Sequence, residues 1–137
     1  MKQALLLLGA ALCFTAVACE NPNQPETPVW GKQRCDECAM VVGDPTSAAQ
    51  LTTTSGERHF FDDPGCLAAY VAGHHPSVRS MWVRTGAGAW VDARSARFAT
   101  GATTPMDYGF RVADDGGAVW SDLEKAAASR AKREVVR

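Results

Sequence analysis

Apolar and polar positions change their spacing along this chain, and each change marks an element. Behind Lys2, Ala4 to Val17 is an apolar run rich in Leu and Ala. Glu20 to Pro28 holds three prolines, two acids and no large apolar residue. That composition predicts an extended, solvated tether. From about Trp30 the pattern becomes that of a folded domain. Met40-Val41-Val42 reads as a short strand running into the Gly43-Asp44-Pro45 turn. Ala49 to Thr54 is β-prone, Ser55-Gly56 turns the chain, and Glu57 to Phe61 is β-prone again, which predicts a hairpin. Asp62-Asp63-Pro64 then opens a helix, since Asp caps free N–H groups and Pro suits the first turn. Leu67, Tyr70 and Val71 recur at i, i+3 and i+4 and give that helix an apolar face. Gly73-His74-His75-Pro76 ends it.

The second half repeats the plan. Ser80 to Arg84 and Trp90 to Ala93 predict a second hairpin about Gly86-Ala87-Gly88. Arg94 to Phe98 reads as a short helical turn, Thr100 to Pro105 as loop and Tyr108 to Val112 as strand. Asp114 to Gly117 turns the chain, and Val119-Trp120 reads as a short strand. Ser121 with Glu124 three residues on predicts a capping box for a last helix. Lys125, Arg130, Lys132 and Arg133 suit its C-terminus, with residues 127–137 fraying into a basic tail. Two hairpin-plus-helix units in series imply an α+β fold of two related halves.

Targeting and charge narrow the setting. The first apolar run spans about 14 residues, short of the roughly 20 that a transmembrane helix needs. With Lys2 it reads as a signal peptide, residues 1–18. Ala16-Val17-Ala18-Cys19 resembles a lipobox, which would make Cys19 a lipidated N-terminus and residues 19–29 a tether. It departs from one in having Ala16 where Leu is usual. An ordinary secretory cleavage site after Ala18 is the other reading, and both export the chain. The formal net charge of −1 and the lack of a basic stripe argue against a nucleic-acid partner. Residues 30–126 make one small domain, large enough for a modest core.

The chemistry concentrates in Cys35-Asp36-Glu37-Cys38-Ala39-Met40, two thiols and a thioether in six residues. Soft sulfur ligands select Cu(I), Zn(II) or iron–sulfur centres, and a thioether favours Cu(I). Of the five cysteines, Cys13 is lost with the signal and Cys19 is reserved for lipid, leaving Cys35, Cys38 and Cys66. An odd number in an exported domain cannot be fully paired internally. Three function classes stay open on these residues. One is a copper carrier, one a thiol–disulfide oxidoreductase using Cys35 and Cys38, and one a structural zinc module using Cys35, Cys38, Cys66 and His59. The oxidoreductase wants the pair at a helix start, whereas a short strand follows here.

Four stretches, in order, resemble the NosL family of lipoprotein copper chaperones that serve nitrous oxide reductase. They are Cys35-Asp-Glu-Cys38-Ala-Met40, Phe60-Phe-Asp-Asp-Pro-Gly-Cys66, Trp90-Val-Asp-Ala93 and Thr104-Pro-Met-Asp-Tyr-Gly109. The resemblance covers about residues 30–125. It implies two consecutive ββαβ-type modules and a non-catalytic Cu(I) carrier on the periplasmic face of a membrane, anchored by lipid. The implied partner is apo-nitrous oxide reductase or another cuproenzyme, and a second copy of the chain is a further candidate. The family's motif has Gly at the positions of Ala39 and Asp107. It also has a helix before the Gly-Gly turn, for which Arg111 to Asp115 is too short, so the second module reads as shortened.

For ligands, Cys38 and Met40 lead, because residues i and i+2 on a strand share a face. Met106 joins them through its place in the family motif. Cys35 is either a third ligand or a disulfide partner. Cys66, in the first turn of a helix, is either a thiolate favoured by the dipole or a packed core residue. His59 is a ligand or a structural strand histidine. Asp62 and Asp63 read as helix capping and not as metal ligands. His74 and His75 read as a solvated turn, and Trp90, Trp120 and Phe98 as core aromatics.

Overall fold

The computed structural model describes residues 21–136. The signal peptide, Cys13 and the Cys19 lipidation site lie outside the described residues. Strands β1 (Ala49–Thr53), β2 (Arg58–Phe61), β3 (Val78–Arg84) and β4 (Trp90–Asp92) form one antiparallel sheet in the order β2-β1-β3-β4. Helix α1 (Pro64–His74) connects β2 to β3. Strands β5 (Arg97–Ala99) and β6 (Arg111–Ala113) pair as a separate ribbon, and helix α2 (Trp120–Val135) follows. The fold is therefore mixed α+β. Its first module is ββαβ, with β4 added at the sheet edge. The second is reduced to a ribbon and a helix, and β6 runs straight into the Gly-Gly turn. Among the described residues no helix is long and apolar enough to cross a membrane.

Both predicted hairpins and the first helix form where the pattern places them. Asp63 caps α1, its side chain accepting from the Gly65 N–H at 2.7 Å, and Pro64 fills the first position. His75 ends α1 in a left-handed conformation. Cross-strand register divides the sheet into two faces. Ala49, Phe61 and Val83 share one with Leu51, His59 and Met81, and α1 packs there through Tyr70 beside Phe61 and His59. Gln50, Phe60 and Trp82 share the other with Thr52, Arg58 and Ser80.

That second face carries what the sequence reads as a free tether. Residues 22–28 lie along it as a strap. Gln50, fully buried, exchanges two hydrogen bonds with the Glu26 backbone, at 2.9 and 2.7 Å. Arg58 reaches the Gln24 carbonyl and the Glu26 carboxylate, and Ser80 reaches the Pro22 carbonyl. Pro28 is buried. The proline-rich stretch cannot make a core of its own, but its backbone satisfies polar side chains of a sheet whose central strand is buried on both faces.

Four further expectations change. Arg94 to Phe98 is not helical: Asp92 closes a turn by accepting from the Arg94 and Ser95 N–H groups, and β5 follows. The short strand expected at Val119-Trp120 is a single bridge between Ala118 and Phe98, and Trp120 already opens α2. The cap of α2 is Val119, whose N–H donates to Asp122 at 3.1 Å, while Glu124 accepts from the Trp120 indole. The helix then continues to Val135 instead of fraying from residue 127. Leu123 and Ala127 are buried, α1 and α2 pack against each other, and Arg130 pairs with Glu134 one turn on.

Candidate metal centre

The Cys35–Ala39 segment is a tight turn, and the short strand expected at Met40-Val41-Val42 is a single bridge between Val41 and Arg34. The Cys35 N–H donates to the Met40 carbonyl at 2.8 Å and the Ala39 N–H to the Cys35 carbonyl at 3.0 Å. Ala39 is left-handed, with φ at 61°. Asp36 ties this knuckle to the end of β2 by exchanging hydrogen bonds with Phe60, both at 2.9 Å. The last residue of β2 leads into Asp62, and the first turn of α1 carries Cys66. One donor atom each from Cys35, Cys38, Asp62 and Cys66 lies within 4.8 Å of all the others. The three thiols are free. Cys35, Asp62 and Cys66 are buried, at 1–2 % exposure, and Cys38 is half-buried.

The protons of this cluster are unevenly held. The Cys66 thiol donates to the Cys35 sulfur, and this outweighs burial, so Cys35 is lowered to about 7. Cys66 is pushed up, first because it is that donor and then by burial. Burial pushes Cys38 up to about 12. Its sulfur lies 3.4 and 3.6 Å from the two Asp62 oxygens. Three sulfurs and one Asp62 oxygen therefore converge on one site. A tetrahedral ion with metal–sulfur bonds near 2.3 Å would place its sulfurs about 3.8 Å apart, which this spacing accommodates. Three soft donors and one hard oxygen suit a thiophilic ion.

The structure gathers the candidate residues selectively. Cys35, Cys38 and Cys66 come together. Met40 is 56 % exposed, and the left-handed Ala39 before it breaks the strand geometry that would align it with Cys38. His59 lies outside the four-donor group and is engaged elsewhere, 3.5 Å from Asp36 and against the Tyr70 ring. Met106 is half-buried against the core that contains the thiols, its N–H bonded to Asp63 at 3.0 Å. His74 and His75 are exposed, but only His75 lies beyond the helix: His74 is the last residue of α1, stacked on the Tyr70 ring and 3.8 Å from the Glu37 carboxylate. Asp62 is the residue that sequence reasoning missed. The signal was present, because only one of two adjacent acids can cap a helix, and Asp63 is that one. Neither Cys35 nor Cys38 opens a helix, so the context of a thioredoxin-like pair is not met; the helix-start cysteine is Cys66.

No protein-family profile and no curated protein matches the chain. Among solved structures, the copper chaperone NosL from Shewanella denitrificans has a similar fold, with a TM-score of 0.51 and 17% identity. The match covers 80% of this chain and 89% of that one. The likeness is one of fold, and it agrees with the α+β order read from the motifs.

Proposed function

We propose that this protein carries Cu(I) outside the cytoplasm and delivers it to a cuproenzyme by ligand exchange. The observation that carries the reading is the convergence of three free thiols in a fold shared with a copper chaperone. Cys35 and Cys66 form the buried floor of the site. Cys38, half-buried, is the donor through which an ion enters and leaves. Cu(I) accepts two or three soft ligands, so an incoming ligand from a partner can share the ion before Cys38 lets go. On the motif resemblance, Met106 is the thioether of the same site. Following the motif resemblance, the client is apo-nitrous oxide reductase and the anchor a lipid on Cys19. Pro22 is bonded to Ser80, so that lipid would sit at most about 10 Å of extended chain from the domain. The carrier would then work close to the bilayer.

A second reading is a structural zinc centre, favoured by Asp62. A carboxylate oxygen suits Zn(II) better than Cu(I), and a divalent ion offsets more of the charge on three thiolates and a carboxylate. Anaerobic titration of the reduced chain against a Cu(I) chelator, with a parallel Zn(II) titration, separates the two. The carrier reading expects one Cu(I) per chain, weakened about 100-fold by Cys38→Ser and little changed by Asp62→Asn. Loss of Zn(II) binding in Asp62→Asn, together with unfolding of the wild type by a zinc chelator, would select the structural centre instead. No Cu(I) binding at all would sink the carrier reading.

A further inference from the structure

The loop between β5 and β6 that carries Met106 is irregular, yet it is gripped from two helices. The Met106 N–H donates to Asp63 Oδ2 at 3.0 Å. The other oxygen of Asp63 caps α1, the helix that presents Cys66. The Met106 carbonyl accepts a hydrogen bond from the Arg130 guanidinium, which comes from the far half of α2. Arg130 also lies 4.6 Å above the Tyr108 ring and meets Glu134 at 3.3 Å. Tyr108 in turn fills the space of a missing side chain, since a Cβ on Gly65 would lie 1.9 Å from Tyr108 Cγ. Within the loop, Thr104 accepts from Asp107 through its carbonyl and from Gly109 through its hydroxyl, both at 3.1 Å.

A basic side chain late in a helix ordinarily stays with that helix's own last carbonyls or in water. Arg130 instead crosses to a carbonyl in another element. We infer that Arg130 and Asp63 are positioning residues for Met106. One holds its N–H and the other its carbonyl, and together they fix, before metal arrives, the backbone from which the thioether reaches toward the thiol cluster. A flexible methionine on a free loop would have to be ordered at binding, which weakens affinity; the clamp orders it in advance. Through this contact the polar end of α2 sets how tightly the first module holds its ion. The inference rests on the proposed copper-carrier reading and on Met106 as a ligand.

The test is a Cu(I) competition titration of the reduced full chain as wild type, Met106→Leu, Arg130→Met, Arg130→Lys, Asp63→Asn and the Met106→Leu/Arg130→Met double variant. Arg130→Met keeps the aliphatic stem and removes the donor. Asp63→Asn keeps an oxygen for the α1 cap while turning an amide toward the Met106 N–H, and it carries the test if Arg130→Met does not fold. Each of Met106→Leu, Arg130→Met and Asp63→Asn is expected to weaken Cu(I) about tenfold. The double variant should be no weaker than Met106→Leu alone, and Arg130→Lys should recover most of the loss. X-ray absorption of the Cu(I) form should show the same lost sulfur in Arg130→Met as in Met106→Leu. Additive losses, or unchanged affinity in Arg130→Met and Asp63→Asn, would overturn the inference. So would a silent Met106→Leu beside a damaging Cys38→Ser, although the carrier reading would then stand. A wild type that binds no Cu(I) overturns both.

Discussion

At the scale of single residues, two departures from the resembled motif turn out to be conformational. Positions 39 and 107 hold Ala and Asp where the motif has Gly, and both are left-handed, with φ at 61° and 57°. Backbone geometry alone would favour a glycine at either position. Asp tolerates this region through local hydrogen bonding, whereas Ala pays the full steric cost of about 1–2 kcal/mol. Ala39→Gly is therefore expected to stabilise the metal-free protein by about 1 kcal/mol, read as a Tm a few degrees higher; an unchanged or lower Tm would contradict it. The same scale separates the candidate ligands. His59 and Met40 have suitable chemistry, but one is engaged by Asp36 and Tyr70 and the other stands exposed. Asp62 was read as one of two capping acids, and its neighbour's occupation of the cap leaves it for the thiol cluster.

At the scale of elements, the strap changes what counts as the domain. Composition alone reads Glu20 to Pro28 as solvated, because those residues have no apolar surface to bury. They are ordered instead by polar groups supplied from elsewhere, chiefly the buried Gln50 amide. A chain lacking residues 21–28 is expected to lose about 1–3 kcal/mol, the cost of leaving a buried polar group without partners. Chemical denaturation would show it as an earlier midpoint. In the shortened chain Gln50→Met should recover part of the loss, since an apolar side chain there leaves nothing unsatisfied. Equal midpoints for the full and shortened chains would mean that the strap contributes nothing. The last helix makes the same point in the opposite direction. Its basic end reads as fraying, but Ala127 packs inward, and Arg130 leaves the helix surface for the Met106 carbonyl.

At the scale of the whole molecule, the cluster couples metal binding to pH. Cys35 is at about 7, Cys38 at about 12 and Cys66 is raised, so near neutral pH the metal-free site holds protons on Cys38 and Cys66. A metal needs thiolates, so binding expels those protons and affinity rises with pH, by about tenfold per unit for each proton released. Below pH 7 Cys35 is protonated as well, and the dependence steepens by one more proton. Cu(I) competition titrations from pH 6 to 9 check the slope, and a flat profile would show that the thiols do not ligate. Much of the architecture was legible in the chain itself, because it depends on local rules. β-prone residues on either side of Ser55-Gly56 mark β1 and β2, Asp63-Pro64 starts α1, and Gly88 turns the chain between β3 and β4. Cysteine spacing likewise pointed to Cys35 and Cys38 as a pair. Tertiary structure alone decided that all four main strands share one sheet, that residues 22–28 cover its second face, and that Cys66 and Asp62 close on the knuckle while His59 does not and Met40 stands exposed. The reason is physical: periodicity and capping act within one turn or one strand, whereas a ligand set is assembled by pairings such as Asp36 with Phe60 across 24 residues of sequence.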